Sequence, residues 1–457
     1  MHKLLAIALL SCSFTFGQGT AQKLQQATAD LMASSPAYSA NLSFFVSDES
    51  GNLVYEYQGN KGLSSASTQK IFTAAAALET LGSDYQYTTT VLHTGAINGN
   101  TLDGTLIISS NGDPTLGSWR YDGYKPQNFK AKLLAALKEN GIQKITGDLY
   151  IDDSYFDFQT VPGGWPWNDI GNYYGAGVWG VNWRENQFDL DMTGKQMNGV
   201  NVELPGVKWI NDLKTGGSSD QSLIYTAPFS EAAHINGVLP ARRITVSGSM
   251  PNPPLTLGTE IAAWFKDSGV TFTGNIQSAS MQRLNGETSQ PTQGSKKILE
   301  YKSPTLDKII YWFMRKSVNL YGENLIKTLG REKKNEGSFD AGITFLKDFW
   351  KAKGINTSMI NFADGSGLSP QNYVSARAEV QALLWSKKQP WFNDFFEGFP
   401  TQGNGMKMKS GTMKNTKSFA GYYTSKDGKN YVFAIIINNY QGANSSDALY
   451  KVLNILK

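Results

Sequence analysis

The stretch Ser64–Gly82, SSASTQKIFTAAAALETLG, decides how the rest of the chain is read. Its alanine-rich run is a strong helix former, and Ser67-Thr68-Gln69-Lys70 stands where the cap or first turn belongs. Residues three apart share a helix face, so Ser67 and Lys70 are neighbours. One reading is an N-cap serine beside a solvated lysine. The other is a nucleophile with its base one turn away. A serine hydroxyl attacks only when something takes its proton, and lysine takes one only when neutral. Neutralising an ordinary lysine at pH 7 requires roughly 4–5 kcal/mol. Burial and a second cation would supply it, so this reading predicts another positive group close to Lys70.

The 457 residues suggest two to four domains, and 40% hydrophobic with 18% charged residues is ordinary for a globular protein. A net charge of +4 carries no nucleic-acid footprint. His2 and Lys3, the apolar run Leu4–Phe16, and small Thr15 and Gly17 read as a signal peptide over residues 1–17, too short to span a membrane. No later run reaches membrane-spanning length; the best, Tyr431–Ile437, is strand-sized. An exported, soluble protein is expected. The single cysteine, Cys12, lies in the leader, so disulfides are not expected. The alternative is a lipoprotein signal, Leu9-Leu10-Ser11-Cys12, anchored through Cys12. Beyond the leader only His93 and His234 remain, without metal-ligand spacing, and no metal or cofactor is expected. No Gly-x-Ser-x-Gly elbow occurs, so the base of any serine enzyme here is not expected to be histidine. His93 reads as a strand-end residue and His234 as a helix-end or loop residue.

Outward from Ser67 the chain changes texture twice. Before it come a helix over 22–33 and a hairpin, NLSFFVSDESGNLVYEYQG, turning at Ser50-Gly51-Asn52. From Tyr85 to about Arg283 there are many short strands and few helices beyond 130–141 and 258–269. Helix returns over 305–330, 338–354 and 375–387. A hairpin around Asp427-Gly428 and a helix from Ser445 close the chain. This order predicts an α+β domain over 20–86 and 285–457, its sheet completed by both termini. The β-rich stretch 87–284 would be an insertion of one or two domains, most simply two nested ones.

Ser-x-x-Lys followed by Ser-Asp-Asn and Lys-Thr-Gly marks penicillin-binding proteins and class A β-lactamases. Apart from the hairpin turn at 50–52, Ser-x-Asn occurs at 39–41, 109–111 and 317–319, and Lys-Ser/Thr-Gly at 214–216 and 409–411. Context selects among them. Ser317-Val318-Asn319 lies in the long helical stretch, whereas Ser109-Ser110-Asn111 ends a strand. Lys409-Ser410-Gly411-Thr412 leads into the final hairpin, whereas Lys214-Thr215-Gly216 leads into a loop. The set 67/317/409 is preferred.

With ASTQK-IFTAAAALETLG, GGWPWND at 163–169, Ser317-Val318-Asn319 and ADGSGLS at 363–369, the chain resembles the D-alanyl-D-alanine carboxypeptidase/endopeptidase family, the class C low-molecular-mass penicillin-binding proteins. The resemblance runs from about residue 25 to the end. It implies a serine β-lactamase/DD-peptidase-like core, an antiparallel sheet flanked by helices, acting in the periplasm on peptidoglycan stem peptides and inhibited by β-lactams. It implies that Ser67 attacks a D-Ala-D-Ala type bond while Lys70 takes its proton. Ser317 would relay that proton to the leaving amine, and Asn319 would orient the substrate amide. Lys409, Ser410, Gly411 and Thr412 would hold the substrate, with Lys409 lowering the pKa of Lys70. The N–H groups of Ser67 and Thr412 would form the oxyanion hole. Asp169 would anchor the ammonium of a stem-peptide diamino acid, or simply brace the insertion. Asp364–Leu368 reads more simply as a turn under the cleft, and Trp165 and Trp167 as core. Three departures stand out: Ser410 in place of the usual threonine, which keeps the hydroxyl, Val318 where an acid or amide is common, and Pro370 where many relatives have arginine. Pro370 shifts carboxylate recognition toward Lys409, Ser410 and Thr412. The alternatives are a β-lactamase or esterase on the same core, or a non-catalytic peptidoglycan-binding protein.

Overall fold

The structure, a computed structural model, describes residues 19–288 and 294–457. The expected signal peptide and Cys12 lie outside the described residues. At the centre is a five-stranded antiparallel sheet. Its order is Leu53–Tyr57, Asn41–Asp48, Asn430–Asn438, Thr416–Thr424, Met408–Met413, so strands from both ends of the chain meet. The middle strand shows why the sheet is covered on both faces. Val432, Ala434 and Ile436 face one core while Phe433, Ile435 and Ile437 face another, as period-two alternation requires.

On the second face lie the terminal helices Thr20–Ala33 and Ser445–Leu453, which contribute Leu24, Leu31, Leu449 and Val452. The first face carries the helix Lys70–Leu81, surrounded by Leu306–Arg315, Asn319–Lys334, Phe339–Ala352 and Ala376–Ser386. That central helix is buried from Lys70 to Leu78. Ala74–Ala77 leave room for its neighbours to approach closely, and Phe72 meets the Trp350 ring edge-on at 5.3 Å.

Between Thr88 and Lys302 the described residues build four further sheets with the helices Pro126–Glu139 and Pro253–Asp267. Val91, Ile108, Leu149, Phe188 and Phe265 share a separate hydrophobic core there. The entry strand Thr88–His93 pairs antiparallel with Lys296–Lys302. We therefore propose that the chain returns to the first domain near Ser303 rather than 285.

Two local expectations need correction. The stretch 305–330 is two helices, Leu306–Arg315 and Asn319–Lys334, broken at Lys316-Ser317-Val318. His234 lies within the strand Ala232–Leu239, not at a helix end or loop. His93 does end a strand.

Candidate active site

Ser67 sits in a short 3-10 turn, Ala66–Gln69, that leads into the central helix. Ala66 adopts φ +49°, a left-handed conformation that costs a residue with a Cβ about 1–3 kcal/mol. Two glycines let other segments close on this turn. A Cβ on Gly411 would stand 2.2 Å from Ser65 O and 2.9 Å from Ser67 N; one on Gly367, which also has φ +85°, would stand 2.0 Å from Ala66 O. From behind, Thr68 Oγ1 donates to the buried Glu379 at 2.6 Å. Burial pushes the Glu379 carboxyl up to about 8.

Lys70 is fully buried. Its Nζ donates to Ser67 Oγ at 2.9 Å, Asn319 Oδ1 at 2.6 Å and Ser366 O at 2.7 Å. Burial lowers its pKa to about 7, while Asp364 and Glu323 work in the opposite direction. A second cation, Lys409, does approach, as the sequence led one to expect. Lys409 is held well below the ordinary lysine range first by burial and then by Lys70 and Lys417. Burial is the first cause for both amines, and the repulsion between them is mutual.

Lys409 Nζ donates to Ser317 Oγ at 3.1 Å and Ser410 O at 2.8 Å. Ser317 lies in the helix break with φ +59°, and Asn319 opens the next helix. The break matters because one face of a continuous helix could not present residues two apart to the same cleft. Asn319 Nδ2 donates to Tyr174 O at 2.8 Å, so the insertion helps seat it.

The segment 363–369 is a hub built around Asp364. Its carboxylate accepts from Gly367 N at 2.7 Å, Ser369 N at 2.5 Å, Asn372 Nδ2 at 2.8 Å and Trp165 Nε1 at 2.9 Å. The two motifs DGSGLS and GGWPWND thus meet in space. Trp165 is buried as expected of core, whereas Trp167 is exposed and leans on Tyr225 at 6.1 Å. Glu323, which no sequence motif marks, belongs to the site as well. It is buried and accepts from Gly365 N and Ser366 N at 2.9 Å each, fixing the carbonyl that receives Lys70. Burial and then Asp364 raise its carboxyl to about 8. The available signal was its position four residues after Asn319, on the same helix face.

Ser67, Ser317, Asn319, Thr412 and Asp169 line one cavity of about 770 Å³; Lys70 and Lys409 are buried behind its wall. Thr412 Oγ1 accepts from Lys417 at 2.7 Å. Asp169 is half-buried and accepts from Tyr174 OH at 3.3 Å and Asn168 Nδ2 at 3.2 Å; burial raises its carboxyl. Lys214 lies in the largely exposed strand Lys208–Thr215 of the insertion instead.

The chain is similar to several known proteins. A D-alanyl-D-alanine carboxypeptidase of Actinomadura sp. is 26% identical, over 96% of this chain and 86% of that protein. The D-alanyl-D-alanine carboxypeptidase DacB of Haemophilus influenzae is 27% identical, over 88% of this chain and 86% of that one. The crystal structure of penicillin binding protein 4 from Haemophilus influenzae superposes with a TM-score of 0.77 at 22% identity, covering 94% of this chain and 99% of that one, so the fold is shared. A predatory peptidoglycan endopeptidase of Bdellovibrio bacteriovorus gives a TM-score of 0.50 at 15% identity, over 91% and 92% of the two chains. The sequence profile of the D-Ala-D-Ala carboxypeptidase 3 (S13) family matches residues 24–456. A match of that extent leads to one conclusion: this chain belongs to the D-Ala-D-Ala carboxypeptidase 3 (S13) family and is a serine peptidase.

Proposed function

We propose that the protein hydrolyses D-Ala-D-Ala termini and D-Ala–diamino acid cross-links of peptidoglycan through an acyl-enzyme on Ser67. The observation that carries this reading is the buried Lys70 amine, 2.9 Å from Ser67 Oγ with its pKa lowered to about 7. About half of such amines are neutral at pH 7, against one in a few thousand for an exposed lysine. Neutral Lys70 takes the Ser67 proton as Oγ attacks the carbonyl. Ser317 relays a proton to the leaving amine, with Lys409 holding the Ser317 hydroxyl. Water then cleaves the ester.

The oxyanion hole is assigned to the N–H groups of Ser67 and Thr412. The register supports Thr412: a two-residue turn closes on Met413 and Thr416, so paired residues alternate as Met413, Gly411, Lys409. Thr412 and Ser410 then direct their N–H groups away from the sheet at its free edge. One such donor is typically worth roughly 3–4 kcal/mol of transition-state stabilisation. Asn319 orients the substrate amide, and Ser410, Gly411 and Thr412 hold the substrate along that edge.

Cutting the cross-link as well as the terminus is supported by likeness to both named carboxypeptidases and a named peptidoglycan endopeptidase. Acylation by β-lactams is supported by a penicillin binding protein 4 structure complexed with one, TM-score 0.71. The N-terminal leader supports export to the periplasm, and no helix among the described residues is long and apolar enough to cross a membrane. Asp169 serves as the ammonium anchor for the diamino acid. Asp169→Asn should narrow the preference for free-amine over acetylated stem peptides; an unchanged ratio of the two kcat/KM values rejects that role.

The deciding experiment is intact mass before and after benzylpenicillin, with Ser67→Ala alongside. One penicilloyl adduct on the wild type and none on the variant is expected. No adduct on the wild type, or an adduct on both, sinks the reading. Slow decay of the adduct separates a peptidase from a β-lactamase.

A further inference from the structure

Beyond Ser317 the cleft wall contains a charged pair that the proposed chemistry does not use. Arg120 and Glu185, both from the insertion, line the cavity together with Lys316. Arg120 Nε donates to both carboxylate oxygens of Glu185, at 3.0 and 2.9 Å. Glu185 is 4% exposed and also accepts from Ser118 Oγ at 2.6 Å and Tyr321 OH at 2.7 Å. The backbone that delivers it is strained, with φ of 53°, 52° and 51° at Arg184, Glu185 and Asn186 in succession. Such conformations persist only where surrounding structure imposes them, and they concentrate at functional sites.

The guanidinium is therefore preset. Its carbon lies 5.3 Å from the Trp119 ring and 5.8 Å from the Trp312 ring. The Arg120 side chain keeps 18% of its surface exposed, and among the described residues neither Nη nitrogen has a hydrogen-bond partner. An arginine anchored through Nε presents its two Nη groups as a fork for a second carboxylate. Arg120 also lines an adjoining groove of about 510 Å³ with Tyr311 and Trp312, so a bound chain has room to continue past it.

We propose that Arg120, assisted by Lys316, is a subsite for a carboxylate carried by the leaving strand, so that acidic or cross-linked leaving groups are favoured over neutral ones. The leaving-side placement follows from Lys316, the chain neighbour of Ser317, and it rests on the reading of Ser67 as nucleophile and Ser317 as donor to the leaving amine. The occupant is an amino-acid or peptide carboxylate.

The test uses three peptides with one acyl part and D-Ala, D-Glu or D-Gln as the leaving residue. The wild-type enzyme should cleave the D-Glu peptide with kcat/KM roughly tenfold or more above the D-Gln peptide, carried mainly by KM. Arg120→Gln should abolish that ratio, Arg120→Lys should keep part of it, and Lys316→Gln should reduce it by a smaller factor. Thermal melting of each variant identifies any that fail to fold; the wild-type ratio needs no variant. Equal turnover of the D-Glu and D-Gln peptides by a wild-type enzyme that benzylpenicillin acylates on Ser67 overturns the subsite alone. A folded Arg120→Gln that keeps the D-Glu preference also overturns it. Absence of Ser67 acylation in the wild type is instead failure of the underlying reading.

Discussion

Burying the Lys70 amine has a cost that is visible in pH. Lys70 has a pKa of about 7 in the fold against an ordinary 10.5. Between those values the unfolded chain holds a proton that the folded chain lacks, so stability rises with pH across that window. The contribution is complete above about 10.5 and lost as pH falls through about 7, with a slope of at most about 1.4 kcal/mol per pH unit. Stability of Lys70→Met should lack this component, so the wild type should gain on it from pH 7 to 10 in denaturant titrations. A constant difference between the two would mean that Lys70 is not depressed. The same titration predicts that acylation of Ser67 speeds up as pH rises through about 7, because only the neutral amine accepts the proton. Ser67 and Lys70 were legible at this scale because the pairing is local, three residues apart on one turn. Glu323 was not, since a lone glutamate in a helix carries no signature of the backbone N–H groups it will meet from residues 365 and 366.

Elements reach the site by close approach of backbones, and glycine decides how close. Gly411 lets the edge strand Met408–Met413 lie against the Ser65–Ser67 turn, where a Cβ would stand 2.3 Å from Ser418 Oγ and 2.2 Å from Ser65 O. Ser418 Oγ itself donates to Ser65 O at 2.5 Å, so neither neighbour can easily give. Gly411→Ala should push the strand away from Ser67. Overpacking should cost about 1–3 kcal/mol of stability. A shift of about 1 Å between Ser67 and Thr412 should slow acylation about a hundredfold. A second-order acylation rate with a fluorescent penicillin within twofold of wild type would show that the two elements do not need this contact. The hairpins and terminal helices were legible from alternation and turn residues. The break at Ser317 was not: apolar residues recur at helical spacing on both sides of it, and neither glycine nor proline marks 316–318.

At the scale of the molecule, one helix ties the insertion to the catalytic core. Asn319–Lys334 offers Asn319 to Tyr174 O, Asn324 Oδ1 to Asn182 Nδ2 at 3.2 Å, and buried Lys327 to Asp157 Oδ1 at 2.6 Å and to Gln159 O. Removing the cation leaves Asp157 without its partner. Because that carboxylate is a third exposed, the loss is smaller than for a fully buried pair. Lys327→Met should cost about 1–3 kcal/mol by chemical denaturation and also slow acylation, since the same helix seats Asn319. An unchanged midpoint and rate would mean that the insertion is only loosely coupled to the site. By itself the sequence determined the fold class, the order of elements and the three motifs, because each rests on local periodicity or on residues a few positions apart. Only the tertiary structure decided that Lys70 and Lys409 are both buried, how Asp364 joins Trp165 to the loop under the cleft, and that Arg120 stands between Glu185 and Trp312. Those facts depend on burial and on contacts between residues tens to hundreds of positions apart, which no local pattern encodes.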